Sequence, residues 1–147
     1  MSLATDSIFV EALNSNSELV EAVGGRIYGT AIPLPDEEMD NAPVPYLVVT
    51  FDGLNNGAES KDEAYEGEQD SVTIGVAVTA PTLEALHNLT QAVRGTIAAY
   101  IQGGDTEVED YQFSANAIQY DALKPCYWQQ LVWVCSVPND FYYYGSD

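Results

Sequence analysis

Residues 71–79, SVTIGVAVT, alternate without a break: Val72, Ile74, Val76 and Val78 on one side, Thr73, Gly75, Ala77 and Thr79 on the other. A period of two over this length predicts a strand with one face on a core, while the small residues opposite leave room for another surface. The period then changes. In TLEALHNLTQAVRGTIAAYI, Leu83, Leu86, Thr90, Val93, Ile97 and Tyr100 recur at three- and four-residue steps. That spacing predicts a long helix laid on a sheet, with Pro81 in its first turn and GGD as its stop.

Upstream, Ile8, Phe9, Ala12 and Leu13 predict a helix with Asp6 as N-cap, and after the NSNS break Leu19, Val20 and Val23 predict a short second one. Gly24 and Gly25 suit a left-handed C-terminal cap that turns the chain into an extended RIYG. Pro33, Pro35, Pro43 and Pro45 remove backbone donors, so 33–45 reads as a stiff, acid-rich surface loop. YLVVTF follows with apolar residues on both faces and is expected to be a strand covered on two sides. Residues 52–70 combine Gly, Asn and acids with almost no apolar residue and read as an exposed hairpin arm or a disordered loop. VEDYQFSANAIQYDAL and CYWQQLVWVCSV read as two neighbouring strands, before a terminal FYYYGSD. The expectation is an α+β domain spanning 1–147: a mostly antiparallel sheet of four to five strands, one long helix, and short N-terminal helices packed against it. An acidic loop near 52–70 and an aromatic tail at 138–147 complete it.

A length of 147 residues suits one core, and 46% hydrophobic residues are too many for a disordered chain. The charge is extreme: 4 Lys and Arg against 23 Asp and Glu give −19. Arg26, Lys61, Arg94 and Lys124 are scattered, which excludes a DNA-binding face built on clustered cations. The N-terminal MSLATDSIFV lacks the basic and apolar regions of a signal peptide, and no apolar run approaches the ~20 residues of a membrane span. A soluble protein is expected. Cys126 and Cys135 fall in one strand at an odd spacing, on opposite faces and roughly 30 Å apart, so they are expected to be unbridged packing residues.

Candidate chemistry is sparse. His87 sits between Leu86 and Leu89 with no partner at suggestive spacing, as a general base would need. Glu37, Glu38, Asp62 and Glu63 are carboxylates in loops, where solvated charge is the ordinary role. Neither DEEMDN nor DEAYEGEQD has the alternating ligands of an EF-hand, and there is no GxGxxG or GxxxxGK. No catalytic residue, metal or cofactor is expected. The FYYY run is either a tail folded over the domain's own core or an aromatic patch for a partner.

In order, GGRIYG, PVPYLVV, VTIGVAV and LTQAVRGTI make the chain resemble the tail-terminator or tail-completion proteins of long-tailed bacteriophages, over roughly residues 8–100. The acidic 52–70 stretch and the FYYYGSD ending depart from that pattern. The resemblance implies an α+β fold and a non-enzymatic ring, commonly of six copies. It also implies a place in the virion tail, between tail tube protein and head connector proteins, after synthesis in the bacterial cytoplasm. DNA would pass through such a ring without specific binding, and negative walls would keep it from sticking. Candidate interface residues are Asp36, Glu37 and Glu38 in the proline-stiffened arm, Asp62, Glu63 and Tyr65 in the acidic loop, and Phe141, Tyr142, Tyr143 and Tyr144 in the tail. A different class, an acidic DNA-mimic inhibitor of a nucleic-acid-binding protein, also fits the total charge. An acid-rich hydrolase would need two carboxylates converging in an apolar pocket.

Overall fold

The computed structural model describes residues 2–29, 43–56, 69–104 and 106–138. A single 3-10 turn, Ser2–Ala4, leads into α1 (Thr5–Asn14) and α2 (Ser17–Ala22). Then come β1 (Ile27–Tyr28), β2 (Tyr46–Asn55), β3 (Gln69–Ala80), α3 (Leu83–Gln102), β4 (Asp110–Ala115), β5 (Gln119–Asp121) and β6 (Cys126–Pro138). The fold is α+β: six strands in one sheet, of order β1-β2-β3-β6-β4 with β5 also on β6. Every pairing is antiparallel except β1 on β2.

The alternation of β3 sets the layers. Val72, Ile74, Val76 and Val78 are fully buried, and register brings Leu47 and Val49 of β2 and Leu131, Trp133 and Cys135 of β6 onto the same face. The three helices cover this face alone. α3 contributes Leu86, Leu89, Val93 and Ile97, one stripe at three- and four-residue steps, and α1 contributes Phe9, Ala12 and Leu13. Trp133 is the centre: Phe9 meets its ring edge-on at 5.4 Å, and Phe113 of β4 does so at 4.9 Å. Arg94 of α3 lies 4.3 Å above the Phe113 ring, closing the aromatic row with a cation.

The ends of the elements differ from expectation in instructive places. Asp6 does not cap α1; it lies in the first turn, largely buried, and the N-cap is Ala4, which makes no side-chain cap bond. The 3-10 turn ahead of α1 starts the helical chain earlier than a capping residue would. Pro81 precedes the N-cap instead of opening the helix, and Thr82 caps α3 by accepting from the Ala85 N–H. The NSNS break is a cap as well as an interruption. Asn16 accepts from the backbone N–H groups of Glu18 and Leu19 and donates to the Thr96 hydroxyl at 2.9 Å, tying the α1–α2 corner to α3.

YLVVTF departs further. Leu47 and Val49 are buried under the helices, but Tyr46, Val48 and Thr50 are half-buried on the other face, which no described helix covers. β2 runs on to Asn55 and β3 begins at Gln69, so the strands take in both ends of the 52–70 stretch. Asn56 clamps them together, donating to the Gln69 carbonyl and to the buried Asp70 carboxylate at 2.8 Å. Cys126 and Cys135 are free, buried, and on opposite faces of β6, as the odd spacing requires.

Candidate functional site

Two short motifs from distant parts of the sequence form one lock. Gly24 and Gly25 take φ of +60° and +74°, the left-handed turn that ends α2 and aims Arg26 across the chain. Arg26 donates from Nε to the Pro45 carbonyl at 3.1 Å, while its own carbonyl accepts from the Leu47 N–H at 3.0 Å. Tyr28 then meets Tyr46 edge-on at 6.1 Å. RIY and PVPY are therefore adjacent strands held by a side chain, two registered residue pairs and a ring contact. The Val44–Pro45 bond within the second motif is cis.

The lock has a measurable signature. A Cβ on Gly24 would stand 2.5 Å from Arg26 Nη1, whereas one on Gly25 would meet nothing within 4 Å. Both substitutions carry the left-handed penalty of about 1 kcal/mol, but Gly24→Ala also displaces the guanidinium and loses its bond to Pro45, about another 1 kcal/mol. Urea unfolding is expected to show Gly24→Ala about 1 kcal/mol costlier than Gly25→Ala, with the difference vanishing in an Arg26→Ala background.

Tyr46 carries the lock to the face of the sheet that no described helix covers, called the open face below. There the floor is β3, with Thr73, Gly75, Ala77 and Thr79, and larger side chains rise on either side from β2 and β6. Gly75 is required by what lies over it. The Gln130 amide, the Asp52 carboxylate and the Thr50 hydroxyl occupy the space a Cβ would fill, with Thr50 donating to Asp52 at 2.8 Å. Asp52 reaches that point because β2 shifts register between Phe51 and Gly53, leaving it as the extra residue of a bulge.

At one end the floor deepens into a concavity of about 620 Å³ lined by Tyr46, Val48, Ala77, Thr79, Cys126 and Trp128, and closed by the turn from Asp121 to Lys124. This turn is a rigid hairpin tip. The Asp121 carboxylate accepts from the backbone N–H groups of Leu123 and Lys124 at 3.0 and 3.3 Å, and Tyr120 packs on Tyr127 at 4.9 Å across the hairpin. Leu123 is 98% exposed at the tip, and the Lys124 ammonium lies 5.4 Å over the Tyr46 ring.

The groups that could carry chemistry are dispersed. His87 is exposed on α3, away from the concavity. Burial raises the Cys126 thiol, with a smaller push from Asp121 partly offset by Lys124, which is the setting of a packing residue and not of an activated nucleophile. Among the described residues, no three His, Cys, Asp or Glu side chains gather where they could hold a metal ion, and no helix is long and apolar enough to cross a membrane. Asp36, Glu37, Glu38, Asp62, Glu63, Tyr65, Phe141, Tyr142, Tyr143 and Tyr144 all lie outside the described residues.

No family model matches the chain, and no curated protein does. Among solved structures, a chain in the virion of a native gene transfer agent (GTA) particle matches with a TM-score of 0.51, over 91% of this chain and 94% of that one. The two chains share a fold. Their sequences are 16% identical, so the likeness lies in the arrangement of elements. The open sheet face and the turn beside it were not singled out by sequence reasoning. Only the small residues at 73, 75, 77 and 79 hinted at them, since they leave room for another surface.

Proposed function

We propose that this chain is a structural, non-enzymatic component of a long-tailed phage or phage-derived particle, forming a ring of copies that caps the tail tube and joins it to the head connector. The observation that carries the reading is the fold shared, over nearly the full length of both chains, with a chain of the GTA virion. The motif order that resembles tail terminators supports it from the sequence side. RIY and PY are bonded neighbours, so they act as one structural unit in the described fold. Charge is the third support. A ring through which duplex DNA passes is served by negative walls that repel phosphate, and each copy brings −19. Asp36, Glu37 and Glu38, then Asp62, Glu63 and Tyr65, and the Phe141–Tyr144 run are the proposed contacts to neighbouring subunits and tail partners.

The direct test is negative-stain electron microscopy of the purified protein, alone and mixed with tail tubes. Rings, or a cap confined to one tube end, are expected. Tubes left uncapped together with an absence of rings would refute the reading. A DNA-mimic inhibitor also fits the charge, but the long helix carries one acid, Glu84, instead of a row spaced like phosphates. Salt-sensitive inhibition of nucleases or repressors would favour that alternative.

A further inference from the structure

We infer that the outer edge of β4 is the site to which the Phe141–Tyr144 run of a second copy of this chain adds as a further strand. The inference rests on the ring reading and names the contact that would build the ring.

β4 is the long edge of the sheet. The strand at the opposite edge, β1, has two residues, whereas β4 runs from Asp110 to Ala115 with β6 alone beside it. The ladder fixes which backbone groups face out. The Asn116 N–H donates to the Gln130 carbonyl, so in the same antiparallel register the groups of Asp110, Gln112 and Ser114 turn towards β6 and those of Tyr111, Phe113 and Ala115 turn away from it. The Tyr111 N–H agrees, because it donates to the Asp110 carboxylate at 2.8 Å and not to the ladder. Past Ala115 the edge breaks: pairing with β6 shifts by one residue between β4 and β5, and the Gln129 amide donates to the Asn116 carbonyl. A carboxylate at one end and a register shift at the other frame a short open stretch. Within it, the N–H groups of Phe113 and Ala115 and the carbonyls of Tyr111, Phe113 and Ala115 have no hydrogen bond among the described residues. Such a row is a template for a strand from elsewhere.

Length and charge select the occupant. The stretch accepts about four residues at the spacing of a strand. Exposed Glu109 and Asp110 stand at its start and repel an acidic segment. Among the stretches outside the described residues, only 139–147 holds four consecutive residues free of acids and prolines, and they are aromatic, the class that favours strands. Alternation sets two of the four rings beside Tyr111 and Phe113, which are half-buried at the margin of the core, where Arg94 lies 4.3 Å above the Phe113 ring.

The run must come from another copy. β6 ends at Pro138 with both of its own edges taken, by β3 on one side and by β4 and β5 on the other. Two strand spacings, about 10 Å, separate it from the outer edge of β4. Only Asn139 and Asp140 lie between Pro138 and Phe141, and three extended Cα steps span about 10 Å, which leaves nothing for climbing over residues 106–109 where the chain enters β4. Each copy therefore gives a run at one place and receives one at another, a head-to-tail contact of the kind that closes into rings.

Ala115→Pro tests the edge, because proline there removes an N–H that points outwards and no bond to β6. A chain carrying both Tyr142→Pro and Tyr143→Pro tests the run, since one of these two N–H groups faces β4 in either register. The 147-residue chains are to be weighed by light scattering on a sizing column at about 100 µM, with circular dichroism to check folding. Wild type is expected to exceed monomer mass, and its Phe113 and Ala115 amides to exchange with deuterium at least tenfold more slowly on association. Each variant should associate at least tenfold more weakly. A 1:1 mixture of the two should recover dimers, because Ala115→Pro still offers a run and the double variant still offers an edge. Association of either variant at wild-type strength overturns strand addition, and so does a failure of the two to complement each other. Should Ala115→Pro lose its fold, the double variant and the wild-type amide exchange decide. A wild type that stays monomeric yet caps tail tubes overturns this contact and leaves the ring reading standing; one that neither associates nor caps tubes overturns both.

Discussion

Replacing Trp133 with alanine is expected to destabilise the protein by about 3–5 kcal/mol, the range for removing a large aromatic from a packed core. The residue is fully buried at the middle of β6, with Phe9 of α1 on one side and Phe113 of β4 on the other, so its loss opens a cavity between packed neighbours on two other elements. At a few degrees per kcal/mol for a chain of this size, the melting temperature should fall by roughly 10 °C. Trp133→Phe, which keeps a ring for both edge contacts, should recover about half of the loss. The comparison within the strand is the sharper test. Trp128, five residues earlier, points to the other face and is 39% exposed, so Trp128→Ala should cost under about 1 kcal/mol in a monomer. Urea unfolding followed by circular dichroism measures both, and equal costs would contradict the one-sided core.

Cys135 is expected to resist alkylation in the folded protein almost completely. Burial alone pushes its thiol up from 9.0 to about 12, which lowers the reactive thiolate roughly 1000-fold at any pH below the ordinary value. Iodoacetamide at pH 8 should label it at the rate of global unfolding and rapidly in urea, with peptide mass spectrometry locating the adduct. Fast labelling of the native state would show that the β4–β6 region opens. Linkage gives a second readout. Between pH 9 and 12 the unfolded chain has lost this proton while the folded chain retains it, so the contribution is intact below pH 9 and is lost as pH rises towards 12. Stability should therefore decline with rising pH across that window. Cys135→Val should decline less steeply, which isolates the thiol's contribution.

Both experiments depend on which face of β6 a residue occupies, and that was legible early. The unbroken alternation of 71–79 picks out Val72, Ile74, Val76 and Val78 as the core face of β3, although Gly75 and Thr79 on the other face are buried too, and the odd spacing of Cys126 and Cys135 puts them on opposite faces. The stripe of α3 was legible in part: Leu86, Val93 and Ile97 are buried as the spacing predicts, but Leu83 is 42% exposed and Leu89 is buried beside the half-buried Thr90. Period reports burial directly when only one face is covered. YLVVTF misled because its second face is apolar although no described helix covers it; alternation with apolar residues on both faces does not say which of the two meets the helical layer. Asp6 misled because an acid near a helix start is a cap only if the chain begins helical geometry there, and the preceding 3-10 turn moves that point. The candidate site was less legible still. Attention to acids and terminal aromatics followed composition, whereas the described surface with shape is built from Tyr46, Gly75, Leu123 and Trp128, which are unremarkable in isolation.

The local periods, the glycine turn after α2, the long helix and the excess of negative charge are properties of neighbouring residues, and the sequence alone determined them. What the tertiary structure decided is every relation across distance. It brought Arg26 to Pro45, seated Trp133 between two aromatics, placed all the described helices on one face of the sheet, and set an exposed leucine beside a hollow. The physical reason is that backbone geometry repeats over two to four residues and prints its period into the chain, while strand order and register arise from packing between segments that the chain alone does not pair.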